Sequence, residues 1–196
     1  MSVSLILGDD DNFTNPLSVA DSLEDVLNAW ENPAMAGSHP DTTGEFSGTA
    51  DNSWSSLIPD LSGDAYTYGN DTLGYAFEVT GDLYYFFNDI ITPGGAGQTT
   101  DTHVVFGEIE TITISTSMAD IDGSALFTFD FTGDEITSAL SEGQNGDIFE
   151  IIDDLMNGST DTLQTVLSTD YGVNLADSVA DLVAASPLSE ELLLAA

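Results

Sequence analysis

Apolar positions along this chain change their period twice, and each change marks a different kind of element. Near the start, Val19, Leu23, Val26, Leu27 and Trp30 are separated by steps of 4, 3, 1 and 3, one stripe on a helix. Ser18 is placed to cap that helix and Pro33 to stop it, so "NPAMAGSHPDTTG" reads as a loop. The middle of the chain is strand-like. "LGYAFEV", "DLYYFF", "HVVFGEIETITIST" and "ALFTFDF" are rich in β-branched and aromatic residues and are parted by Gly, Asp and Asn turns. Within the third run, Ile109, Thr111, Thr113 and Ser115 share one side, while Glu108, Glu110, Ile112 and Ile114 share the other. That alternation is too mixed to name the inward face.

The last quarter returns to helical spacing. Ile148, Ile151, Ile152, Leu155 and Met156 form one stripe, closed by Gly158. Leu163, Val166 and Leu167 form a second, ended near Gly172, and Leu175, Val179, Leu182 and Val183 a third. One early helix, then strands, then helices predicts an α+β single domain. Its core element is a curved, mostly antiparallel β-sheet with helices packed on one face.

Charge narrows the partners. The 196 residues include 35 Asp and Glu and no Lys or Arg, a formal charge of −35. Counterion release from phosphate needs cationic side chains, so nucleic acid and anionic membrane surfaces are excluded. A hydrophobic content of 41% nevertheless argues for a folded core rather than the disorder such a charge otherwise brings. Cysteine is absent, which removes disulfides, thiol nucleophiles and zinc–thiolate sites. "MSVSLILGDDD" lacks the basic segment of a secretory leader, and no run approaches the ~20 apolar residues of a membrane span. The ending "SPLSEELLLAA" reads either as a terminal helix or as a C-terminal export signal.

Few motifs carry chemistry. No GxSxG elbow, P-loop or dinucleotide fingerprint is present, and abundant carboxylates make any single acidic pair uninformative, including one of glycosidase type. The two histidines are more telling. His39 precedes Pro40 on the predicted loop, which biases it to an extended backbone. His103 opens a strand across one candidate hairpin from Tyr85. A tyrosine in a strand is commonly a packing residue. A tyrosine whose proton can pass to a histidine is also a phenolate donor suited to ferric iron, and His39 supplies a second axial ligand.

At these residues the sequence resembles the secreted HasA-type hemophores, which acquire haem. "YAFEVTGDLYY" is similar to the family segment ending in the iron-ligating tyrosine, which corresponds to Tyr85; aligning on "FN" instead selects Tyr84. "HVVFGEIETIT" is similar to the segment whose histidine supports that tyrosine, here His103. "LNAWENPAMAGSHPDTTGEFSG" follows the helix and loop that carry the second axial histidine, here His39. "SGDAY" at Tyr66 and "DDLMNGSTDTLQTVL" at Met156 extend the resemblance over nearly the whole chain, and "EELLLAA" resembles the family's export terminus.

The resemblance implies a haem-binding domain over residues 1–185 and a secretion-signal tail over 186–196. It implies a carrier without enzymatic activity, holding ferric haem b through His39 and Tyr85, with His103, Tyr66, Phe87 and Met156 around it. The implied partners are donor haemoproteins such as haemoglobin, an outer-membrane TonB-dependent receptor and a type I ABC exporter, with the protein extracellular. The competing expectation is an acidic extracellular interaction or calcium-binding module without haem.

Overall fold

The computed structural model describes residues 2–14, 17–36, 44–48, 62–87 and 103–186. Eight strands form one sheet: β1 (Ser4–Leu7), β2 (Gly44–Ser47), β3 (Ser62–Asn70), β4 (Tyr75–Phe87), β5 (His103–Ile109), β6 (Thr111–Ser115), β7 (Ala125–Asp130) and β8 (Ile136–Ser138). Among the described residues four α-helices accompany it: α1 (Leu23–Trp30), α2 (Asp147–Met156), α3 (Asp161–Thr169) and α4 (Val179–Ala185). The main path runs β1-β7-β6-β4-β3-β2, and β5 pairs with both β4 and β8. Every one of these pairings is antiparallel.

The long strand β4 changes partner halfway. Ala76 to Thr80 pair with β6, and Leu83 to Phe87 pair with β5. Gly81 lies between the two halves at φ +138°, with Gly107 of β5 at φ +123°. A Cβ on Gly81 would fall 2.2 Å from the Glu108 carbonyl oxygen, and one on Gly107 2.0 Å from that of Asp82. Only glycine fits either position. "LGYAFEV" and "DLYYFF" are therefore one bent strand rather than two.

The reverse happens across the sheet. "HVVFGEIETITIST" is two strands, broken at Glu110, whose N–H donates to the Thr80 carbonyl while its own carbonyl accepts from Phe131 N–H. The break shifts the alternation by one residue, so Ile109, Ile112 and Ile114 are all fully buried. This explains why strict alternation could not identify the inward side.

The buried residues of all four helices belong to one hydrophobic cluster with Phe77, Val79, Phe127 and Phe129 of the sheet. Trp30 anchors it, stacked on Tyr75 at 3.9 Å between ring centroids and donating its indole N–H to the Ser115 carbonyl at 2.8 Å. Burying a side chain of this size contributes about 2 kcal/mol or more.

The expected cap of α1 is corrected. Ser22, not Ser18, caps the helix, accepting Asp25 N–H at 3.1 Å. Leu23 and Glu24 donate their free first-turn N–H groups to the carbonyls of Asp177 and Leu175, and Val19 stays outside the helix with its carbonyl accepting from Ala180. Helix α4 starts across an antiparallel bridge from the same point, Ser22 to Ser178, and Ser178 caps it in the same way. Leu175 therefore precedes the third predicted helix rather than opening it. Helix α2 ends as expected at Gly158, φ +81°, which packs on the Asn32 carbonyl.

Candidate functional site

The site builds up at the bent end of β4. Tyr85 pairs in register with Val105, and Phe87 with His103, so the hairpin brings the expected tyrosine and histidine onto one face. Their ring centroids are 5.4 Å apart with planes 30° from parallel. The intervening residues 88–102, long as they are, leave the two side chains adjacent.

Strand alternation separates Tyr85 from Tyr84. Tyr84 is fully buried on the opposite face in a small cluster with Val104 and Phe106, and its ring is 5.4 Å from that of Phe106. Leu140 covers this cluster. Tyr85 is half-buried at the margin of the main core.

Other aromatic and thioether groups gather around Tyr85. Phe46 of β2 lies 4.9 Å from Tyr66 and 6.4 Å from Tyr85, centroid to centroid. The Tyr66 hydroxyl donates to the Met156 Sδ at 3.4 Å. Phe149 of α2 packs on His103 at 5.6 Å, so His103 contacts two aromatic rings, Phe149 and Tyr85. Gln144 donates to the His103 backbone carbonyl at 3.0 Å, tying the start of β5 to the turn before α2. Ser138 of β8 accepts Ile148 N–H at 3.1 Å, a cap for α2 supplied from the sheet. These links fix the helix against the strand that carries His103.

Electrostatics hold the phenol protonated. Burial, with the Asp153 carboxylate adding to it, pushes the Tyr85 phenol up to about 12. Burial likewise raises Tyr66, helped by Tyr68 and Tyr85. At neutral pH both are neutral hydroxyls, and forming a Tyr85 phenolate needs a nearby base or a metal centre. The His103 ring is the histidine that lies beside it.

Of the residues expected at a haem site, the structure brings together Tyr66, Tyr85, His103 and Met156. Phe87 joins them through its register with His103, and its side chain is outside the described part. His39 lies outside the described residues, as does the tail from residue 187. Phe46, Phe149, Gln144 and Asp153 were not expected. Phe149 and Asp153 lie off the buried stripe of α2, the one hint their positions offered. Among the described residues, no group of three or more His, Asp or Glu side chains is arranged to hold a metal ion. No described helix is long and apolar enough to cross a membrane.

The bent antiparallel sheet and the helices packed on its core are similar to the fold of solved HasA hemophores. The apo hemophore HasA from Yersinia pestis matches with a TM-score of 0.60, over 90% of this chain and 93% of its own, at 18% identity. Holo HasA from the same organism matches at 0.59 with the same coverage and identity. A tyrosine-to-alanine mutant of HasA from Yersinia pseudotuberculosis, as the monomer, matches at 0.56 and 17% identity, over 90% and 93% of the two chains. No protein-family model and no curated protein matches the sequence.

Proposed function

We propose that this protein is a secreted hemophore, a carrier that binds ferric haem and hands it to a receptor, with no reaction of its own. The observation that carries the reading is the Tyr85–His103 pair, 5.4 Å apart on one sheet face, on a fold shared with HasA hemophores. The residues present suit haem as cargo. An anionic oxygen donor favours ferric iron, while Phe46, Tyr66 and Met156 offer uncharged surface for an apolar macrocycle.

In the empty protein Tyr85 keeps its proton. On capture that proton moves to the His103 imidazole, and the phenolate becomes an iron ligand. The charge left on His103 then lies beside the anionic oxygen, which stabilises both. His39, on the segment after α1, supplies the opposite ligand. Release to an outer-membrane receptor reverses the order: the His39 segment is displaced, then the proton returns from His103 and weakens Tyr85. The tail "EELLLAA" directs export through a type I ABC exporter, and haemoproteins such as haemoglobin are the source of haem.

Absorbance titration of the protein with haemin tests the reading. A saturable one-to-one Soret shift, lost in Tyr85→Ala, is expected. No saturable binding would leave the acidic interaction module as the better account.

A further inference from the structure

Helix α2 presents two faces to the rest of the molecule. Ile148, Ile151, Ile152 and Leu155 enter the core, and Phe149, Asp153 and Met156, at i, i+4 and i+7, run along one flank. Contacts pin both ends of that flank to the site: Phe149 packs on His103 at 5.6 Å, and Met156 accepts from Tyr66. Tyr85 lies between those two, 5.4 Å from His103 and sharing Phe46 with Tyr66. The middle position of the flank, Asp153, therefore faces Tyr85, and its charge is felt at the phenol. Asp153 is exposed, so its carboxylate stands at the rim.

Building on the hemophore reading, we propose that Asp153 is a specificity-determining residue that favours porphyrins of trivalent metals over those of divalent metals. The macrocycle is a dianion, so a trivalent centre leaves the core at +1 and a divalent centre leaves it at 0. Because the phenol's proton stays on His103, coordination by Tyr85 leaves the trivalent complex with its histidinium at +1 and the divalent one at 0. A carboxylate facing Tyr85 attracts only the first, and the chain has no lysine or arginine to neutralise that carboxylate. The separation expected is about fivefold in relative affinity, the size of an interaction between partly solvated charges.

Absorbance titrations with gallium(III) and zinc(II) protoporphyrin test this on the wild-type chain and on Asp153→Asn. Asp153→Ser serves as a second charge removal, and Glu150→Gln as a neutralisation on an exposed position of the same helix. The wild type should prefer gallium. Both Asp153 variants should narrow the preference about fivefold by losing gallium affinity, with Glu150→Gln unchanged. An unaltered ratio in the Asp153 variants, or equal narrowing in Glu150→Gln, would overturn the assignment while leaving the hemophore reading intact. Failure of the wild type to bind either porphyrin would remove the hemophore reading and this inference with it.

Discussion

Tyr84 and Tyr85 are consecutive in the chain and lie on opposite faces of the sheet. Tyr84 is fully buried, packed on Phe106 at 5.4 Å. Tyr85 is half-buried and lies 5.4 Å from His103. The one-residue step decides which hydroxyl a ligand can reach, because an extended backbone sends successive side chains to opposite sides.

Replacing each by phenylalanine separates the two roles. Tyr85→Phe should weaken haemin binding by roughly a hundredfold, ~2.7 kcal/mol, by removing a ligand oxygen. Tyr84→Phe should leave affinity within about threefold. Equal losses in absorbance titrations would mean that the site lies elsewhere.

The proton balance predicts how affinity depends on pH. With the phenol held up to about 12, its ionised fraction rises as pH rises, tenfold per unit below that value. While His103 accepts the proton, none reaches solvent, and affinity should be nearly flat across neutrality. In His103→Ala the proton must go to water, so affinity should fall by about one log unit for each unit of acidification. Parallel pH profiles for the two proteins would show that His103 takes no proton.

Alkaline stability follows from the same groups. Burial raises Tyr85 and Tyr171 to about 12 from an ordinary value of 10. A raised folded value means that the folded state holds the proton more tightly. The stability it contributes is complete below about pH 10 and is lost as pH climbs through about 12. Tyr171 also donates to the Asp134 carbonyl at 2.6 Å. Tyr171→Phe should cost about 1 kcal/mol at neutral pH yet unfold less steeply between pH 10 and 12, as followed by circular dichroism.

The strand bend is expected to be intolerant of side chains. Gly81→Ala meets both the Glu108 carbonyl and a φ of +138°, and should destabilise the fold by about 2 kcal/mol or more. Gly133→Ala, at φ +92° with nothing within 4 Å of its Cβ, carries backbone strain alone and should cost less. Urea denaturation of the two variants ranks them.

Salt should accelerate haemin association. A chain of charge −35 repels the two propionates of haem, and added salt screens that repulsion over ~10 Å or less. Stopped-flow rates should therefore rise with ionic strength. A falling rate would reveal an attractive local field.

Periodicity made the helices of the last quarter legible, because Ile148 to Leu155 and Leu163 to Leu167 repeat without interruption. The start of α1 was hidden. Its N–H groups are satisfied by residues 175 to 177, a tertiary fact that favours Ser22 over an equally suitable Ser18. Strands β1, β2, β3 and β8 were not foreseen as strands, being short or, for β3, polar and glycine-containing. Tyr85 and His103 stood out because basic residues are so scarce here. Phe149 and Asp153 did not, since only contact with β4 and β5 distinguishes them from any flank of an amphipathic helix.

The register pair Phe87–His103 brings the two ends of residues 88–102 to adjacent strands, where the ladder already holds them together. Doubling the length of such an excursion costs only ~0.6 kcal/mol in closure entropy, and it cannot propagate into the pairing behind it. The register is therefore set by the paired residues themselves, Leu83 to Phe87 with His103 to Gly107. A change in the number of residues between Phe87 and His103 should accordingly leave the phenol and imidazole at their spacing.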